Sequence, residues 1–377
     1  MKRITNIRIA NYKAYIQSTE FQLPNGKNLL LYGENGSGKS SLYKALYHFM
    51  ASSVNASKSF DTNYYSGLAE GAIEVTCADY DPSTKTIIPN SNQILLSSHN
   101  STWSTNNVDF VNTGFRVSGF LDYATLLKVY LNRGARPNLF ELIMELLNEY
   151  VGTKYGFKDT IGAIYCGINN NIKKAYHRRD CIYRQNKVLF DKLAAAFPQI
   201  INDINVDFSN YMRTYFDGFK LNISLANATM GLYESGRIRD THILGEVFLD
   251  VQHYGQQMQN YNYTLNEARL SAIAICLYLA SLKLRATTPD FRILYFDDVF
   301  IGLDTSNRKP VLRILKDHFS DYQTVGNNSD HTDSFHNFKD IHKIFPDSIS
   351  AKVTYNDKYK RYRCTNHCPY CIFQCFI

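Results

Sequence analysis

A chain of 377 residues with 45% hydrophobic content has enough apolar side chain for one large or two ordinary packed domains, which excludes a largely disordered protein. Its 41 basic and 34 acidic residues give a net charge of +7, which permits a nucleic-acid surface without demanding one. The longest apolar stretch, 270–284, is interrupted by Ser271, Ser281 and Lys283 and falls short of a bilayer span. The basic start MKRITNIRIANYK lacks the continuous apolar core of a signal peptide, so the expected setting is cytoplasmic, with no membrane partner. Cys77, Cys166, Cys181 and Cys276 read as core thiols of a reducing compartment.

In chain order, residues 4–10 alternate apolar and polar as a half-buried strand does. NLLLY at 28–32 is a short apolar run ending at a glycine, the pattern of a buried strand feeding a loop. Leu42, Ala45, Leu46 and Phe49 then fall at helical spacing. Residues 51–70 read as loop, and 72–78 and 93–97 as strands. From 121 to 216 the pattern is mainly helical, strongest at 139–150 and 172–197. Strand character returns at 219–226 and 245–253, followed by a long helix at 265–285, a strand at 291–296, and a helix at 306–319 broken early by Pro310. Beyond about 323 the chain is rich in Asn, Asp, His and Tyr, and no continuing fold can be read there. No fixed-period repeat or sustained heptad run is present.

The sequence GENGSGKS at 33–40 fits G-x-x-x-x-G-K-[ST] and lies between the strand and the helix that such a loop requires. Backbone N–H groups of Gly33, Glu34, Asn35, Gly36, Ser37, Gly38 and Lys39, with Ser40 and Ser41 opening the helix, would cradle phosphate oxygens at a helix N-terminus. Lys39 would reach the β- and γ-phosphates, and the Ser40 hydroxyl would hold Mg²⁺. A chance match in a Gly/Ser loop would not need both flanking elements. The run ILYFDD at 293–298 is an apolar strand ending in acids: Asp297 is placed to orient Mg²⁺, and Asp298 to act as general base toward the attacking water. ATP and Mg²⁺ are therefore the expected cofactors, and ATP hydrolysis the expected reaction, with Asp298 and Lys39 as its catalytic residues.

NYKAY, GENGSGKSSLYKAL, YTLNEARLSAIAICLYLA and ILYFDDVFIGLD, in that order, resemble the SMC/RecF-like branch of ABC ATPases, nearest to the short-armed ATP-binding proteins of bacterial anti-phage defence and DNA-repair operons. The resemblance covers residues 1 to about 322. It implies that LNEAR at 265–269 stands where the signature opens a helix, with Asn266 in place of the usual Ser and Glu267–Ala268 in place of a Gly pair. That helix end would meet the γ-phosphate held by a second subunit, making ATP-dependent homodimerisation the expected assembly. Asp304 would be the aspartate that contacts the partner subunit, and Lys13 lies in the segment that approaches the nucleotide. The glutamine of the Q-loop has no counterpart in 115–122, and His331 is the only candidate for the switch histidine, without the apolar strand expected before it.

Other constellations carry less. Cys364, His367, Cys368, Cys371 and Cys375 have spacings that suit one tetrahedral Zn²⁺ or an unstructured cysteine-rich end. Lys173, Lys174, Arg178, Arg179, Arg184, Lys187 and Lys192 suit either a DNA phosphate backbone or a solvated helix face. A guanine-reading NKxD motif is absent, and the signature and Asp304 argue against a small-molecule P-loop kinase.

The expected fold is α/β: an ABC-type P-loop NTPase domain split in sequence. An N-terminal lobe would span 1–120, a mainly helical insertion 121–218, a C-terminal lobe with signature, Asp297 and Asp304 219–323, and a divergent tail 324–377 dispensable for nucleotide binding. The expected function is an ATPase whose ATP-dependent dimerisation switches DNA binding or an effector protein such as a nuclease. The alternative is an ATP-binding regulatory module with little turnover.

Overall fold

The computed structural model describes residues 1–34, 36–54, 60–67, 70–89, 94–99, 102–103, 109–129, 136–234, 236–285, 290–328, 347–356 and 361–366. In chain order its strands and helices begin with β1 (Lys2–Ala10), β2 (Thr19–Gln22), β3 (Asn28–Tyr32), α1 (Lys39–Ser52), β4 (Ala72–Asp81), β5 (Thr86–Ile87), β6 (Ile94–His99), β7 (Thr102–Trp103), α2 (Asp109–Val117) and β8 (Gly119–Asp122). There follow α3 (Tyr123–Leu127), α4 (Phe140–Leu146), α5 (Ile161–Ile172), α6 (Cys181–Tyr215), β9 (Leu221–Tyr233), β10 (His242–His253), β11 (Gln256–Gln257), α7 (Tyr261–Thr264) and α8 (Glu267–Leu284). The chain closes with β12 (Ile293–Asp297), α9 (Thr305–His318), β13 (Gln323–Asn328), β14 (Ser348–Asn356) and β15 (Arg361–Asn366).

Two compact units result: one of Met1–Tyr123 with Thr287–Ile377, the other of Ala124–Ala286. The first contains two sheets. One has the antiparallel order β2-β1-β4-β6-β7. The other has the order β15-β14-β3-β13-β12-β8, parallel throughout except for the edge strand β15. In β1, Ile4, Ile7 and Ile9 are all fully buried although 4 and 7 differ in parity. A register shift against β4 between Ile4 and Asn6 resolves this, because a bulge re-aims the residues after it. These isoleucines join Leu29, Leu31, Leu42, Leu46, Phe49, Ile293 and Tyr295 in one buried cluster.

The tail departs from its expected place outside the fold. Residues 323–328, expected to lie at and beyond the edge of the fold, form β13 between β3 and β12, and 348–356 form β14 beside β3. QTVGNN is illegible as a core strand because only Val325 is a large apolar residue. The side chains of Gln323 and Asn327 are buried and hydrogen-bonded: Gln323 accepts from the N–H of Ile4 at 2.7 Å and donates to the carbonyls of Ile4 and Lys27 at 2.8 and 3.1 Å. A paired polar group can be buried at little net cost, and periodicity cannot see that. Truncation after Tyr322 should therefore yield aggregated or unfolded protein rather than a soluble nucleotide binder. Recovery of a soluble, ATP-binding truncation would contradict this placement.

The second unit also departs from the expected boundaries. The β9–β10 hairpin packs with α6, and α6 with α8, so residues 221–284 belong with the helices before them, not in a lobe of their own with β12. The expected helix over 172–197 is interrupted: Asp180 caps α6 by accepting from the N–H of Ile182 at 3.0 Å, and 173–180 form a connection. In α8 every residue from 270 to 282 is buried. In the first unit, α9 runs unbroken through Pro310. The Asp304 cap and buried Val311, Leu312, Ile314 and Leu315 outweigh one missing hydrogen bond. Cys77 and Cys276 are buried as expected, whereas Cys166 and Cys181 are exposed. No helix among the described residues is long and apolar enough to cross a membrane.

Candidate nucleotide site

The parallel sheet places the ends of β3, β13, β12 and β8 side by side. After Tyr32 the chain loops to α1, which opens at Lys39 with Gly38 as its N-cap in the left-handed region at φ 96° and with no side-chain cap. An L side chain rarely adopts that geometry, and the uncapped first turn leaves N–H groups for an anion. A Cβ on Gly33 would stand 2.2 Å from the carbonyl oxygen of Val353 in β14, so the loop begins under tight packing. Asn35 lies outside the described residues. Ser37 is 2% exposed, and its Oγ has no hydrogen-bond partner among the described residues, a buried polar atom that a phosphate oxygen would satisfy.

Lys39 is 4% exposed and donates from Nζ to the carbonyls of Gly33 and Glu34 at 2.8 and 2.9 Å. Burial pushes its ammonium pKa down, against the opposing charges of Asp298 and Asp297. Ser40 donates to Asp297 Oδ1 at 2.9 Å. Burial pushes the Asp297 carboxyl up, and the charges of Asp298 and Asp122 add to this, while hydrogen bonds from Asn327 and Ser40 oppose it. Both central charges are thus held against desolvation, a setting that an additional cation and phosphates would relieve.

Asn327 is a site residue that the sequence does not announce. It is 2% exposed at the end of β13, donates to Asp297 Oδ1 at 2.5 Å and accepts from the backbone N–H of Asp298 at 2.7 Å. Asp298 has φ 55°, a conformation most non-glycine residues avoid. One side chain therefore fixes the carboxylate of Asp297 and the strained backbone of Asp298 together. Asp122, at the end of β8, is the register partner of Asp297 and lies in the neighbourhood where a Q-loop glutamine is expected. Asn327 stands apart from any apolar pattern, and nothing in the sequence distinguishes it from the neighbouring Asn328.

The remaining expected residues are placed as follows. Lys13, at φ 46°, pairs through Nζ with Asp61 Oδ2 at 2.5 Å. Asp304 is the N-cap of α9, accepting from the N–H of Asn307 at 2.9 Å. Asn266, in the second unit, caps α8 by accepting from the N–H of Arg269 at 3.1 Å. Lys173, Lys174, Arg178 and Arg179 lie in the α5–α6 connection rather than on a helix face. Arg178 pairs with Glu234 at 3.8 Å, Lys187 with Asp191 at 2.5 Å, and Lys192 donates to the Gly156 carbonyl. His331, His367, Cys368, Cys371 and Cys375 lie outside the described residues; of Cys364 only the backbone, in β15, is placed.

Residues 1–102 match the family model of an AAA ATPase domain. In overall fold the chain is similar to the Smc head domain of Pyrococcus furiosus, solved with an extended coiled coil and bound to the C-terminal domain of ScpA, with a TM-score of 0.55 at 13% identity over 97% of this chain and 96% of that one. The chain has the fold of an SMC head, and its residues 1–102 are similar to an AAA ATPase domain. A second SMC head, bound to the C-winged helix domain of ScpA, is similar with a TM-score of 0.52 at 12% identity over 98% of each chain. A search of curated proteins finds no match.

In this SMC-like frame the donors fit Mg²⁺. Ser40 and Asp297 offer two hard oxygens at one point, and Mg²⁺ characteristically takes one or two protein ligands and completes its shell with water and phosphate. Among the described residues no group of three or more His, Cys, Asp or Glu is arranged to hold a metal by itself.

Proposed function

We propose that the SMC-like fold binds ATP with Mg²⁺ at residues 33–41 and hydrolyses it. The observation that supports this best is the Ser40–Asp297 contact at the mouth of the phosphate loop, with Lys39 buried beside it. In this reading loop N–H groups, Ser37 Oγ and Lys39 Nζ bind the phosphates, while Ser40 and Asp297 hold Mg²⁺, which would neutralise charge on the transferred phosphoryl group. Asp298 accepts the proton of the attacking water. Asn327 holds both acids in register. Replacing Asn327 by Leu removes a donor and an acceptor from buried partners, each worth about 1–3 kcal/mol. Turnover should fall about a hundredfold, the scale of a misplacement near 1 Å, with ATP affinity kept. Steady-state kinetics beside an ATP titration check this; unchanged kcat would remove the positioning role.

The dimer is composite in this reading: the α8 end at Asn266 and the region of Asp304 complete the site of a second copy. The two similar SMC heads were solved with a bound ScpA domain, so an effector protein on this chain is part of the proposal. DNA is the other partner. Glutamate at Lys173, Lys174, Arg178 and Arg179 should weaken DNA binding and lower the log–log salt slope by roughly 0.9 for each phosphate no longer neutralised. An absence of DNA binding by the wild type at low salt would end the nucleic-acid part of the reading. A regulatory module with little turnover is the second reading. It is favoured by Asn266, whose side-chain oxygen is engaged with Arg269, and by Glu267–Ala268 in place of a Gly pair. Phosphate release with and without DNA separates the two.

A further inference from the structure

A turn beside the phosphate loop is interlocked with a second turn. In the first, Tyr12 and Tyr15 exchange backbone hydrogen bonds at 2.9 and 2.8 Å, and Asn11 and Lys13 take left-handed backbones at φ 48° and 46°. This turn touches the phosphate loop directly: the Tyr15 hydroxyl donates to the Gly38 carbonyl at 3.0 Å, and a Cβ on Gly38 would lie 3.5 Å from Ala14 and Tyr15. The second turn, 60–67, is fastened to the first. Lys13 N–H donates to the Asp61 carbonyl at 3.0 Å and its ammonium pairs with the Asp61 carboxylate. Asn63 donates from its backbone to Asn11 Oδ1 at 3.2 Å and from its side chain to the Lys13 carbonyl, and receives the N–H of Tyr65 at 2.7 Å. Phe60 packs edge-on against Tyr12 with ring centroids 5.0 Å apart.

This well-anchored second turn exposes two adjacent aromatic rings, Tyr64 at 91% and Tyr65 at 82%. Their centroids are 5.2 Å apart and their planes 87° from parallel, so they form an open corner rather than a closed stack. Two residues with left-handed backbones, Asn11 and Lys13, join the turn that bears the exposed aromatic pair to the turn that touches the phosphate loop, and strain of this kind persists only where the surroundings over-determine it. A nucleotide whose phosphates lie along Gly38 and Lys39 extends ribose and base beyond them. A planar base stacks on an aromatic face, worth about 1–3 kcal/mol per base in single-stranded nucleic-acid sites.

We propose that Tyr64 and Tyr65 form the subsite for the purine base of the bound nucleotide, carried to the phosphate loop by the turn at 11–15. This deepens the ATP-binding reading and rests on it. The test compares two ligands of the full chain, ATP and inorganic tripolyphosphate, each with Mg²⁺, by calorimetric titration. The wild type should prefer ATP by about tenfold or more, as one stacking contact predicts. A Tyr64→Ser, Tyr65→Ser variant should lose that preference and bind ATP about as weakly as tripolyphosphate, with tripolyphosphate affinity unchanged. The unchanged ligand also reports that the loop is intact. The Tyr64→Phe, Tyr65→Phe variant, which keeps the rings, should retain the preference. An undiminished ATP preference in the serine variant overturns the proposal, and so does equal loss of both ligands, which would make the tyrosines structural. A wild type that does not discriminate between the two ligands overturns it as well. A wild type that binds neither ligand removes the nucleotide reading itself.

Discussion

Lys39→Ala should reduce ATP affinity at least about a hundredfold, because charge-assisted contacts contribute about 1.5–3 kcal/mol each and Lys39 is expected to make more than one. Hydrogen bonds from Nζ to the carbonyls of Gly33 and Glu34 hold the cation at the loop. The same substitution should leave folding nearly untouched. Burial lowers the pKa of Lys39, so the fold carries this charge at a desolvation cost, and relief of that cost offsets the loss of its hydrogen bonds to the Gly33 and Glu34 carbonyls. The expected pair of results is this loss of ATP affinity with a melting temperature close to the wild type, read by titration and by thermal unfolding. Wild-type affinity in the variant would remove the site assignment. A collapsed melting temperature would mean the loop lost its shape rather than its charge.

Asp298→Asn should trap an ATP-bound dimer. Asp297 must stay because its carboxylate, with Ser40, is the expected metal ligand, whereas Asp298 is needed only to take the proton of the attacking water. The amide is also the substitution the backbone tolerates best, since Asn adopts left-handed geometry more readily than most residues and Asp298 sits at φ 55°. The bond from the Asp298 N–H to Asn327 comes from the main chain and survives the change. Each ATP would then bridge the phosphate loop of one copy and the Asn266 helix end of the other, and without cleavage the bridge persists. Light scattering should show the mass doubling with ATP and Mg²⁺ and returning when nucleotide is removed. A monomer at saturating ATP, in variant and wild type alike, would remove the composite-site model.

The strand–loop–helix around 33–40 and the strand ending at Asp297 are legible in the sequence because each is contiguous and each carries a strong apolar pattern; all five residues of β12 are buried. Strand β13 and Asn327 are hidden because their burial is satisfied by hydrogen bonds from segments far away in the chain, such as Gln323 with Ile4 and Asn327 with Asp297. An apolar strand is expected before His331; the strand that precedes it is the polar β13, and His331 itself lies outside the described residues. The expected lobe boundary at 218/219 fails for a related reason. The alternation in β9 marks a half-buried strand but not what it is buried against, and the answer is α6. Lys13 stands in the turn next to Gly38, but it is the packing of Ala14 and Tyr15 against that glycine, invisible in the sequence, that places the turn at the loop.

Hydrolysis of ATP at this site is tested most directly by phosphate release from the purified wild type with saturating ATP and Mg²⁺, beside the Lys39→Ala and Asp298→Asn variants. The expected result is Mg²⁺-dependent release by the wild type and none above background by either variant. No release by a wild type that demonstrably binds ATP, or equal release by all three proteins, would contradict it.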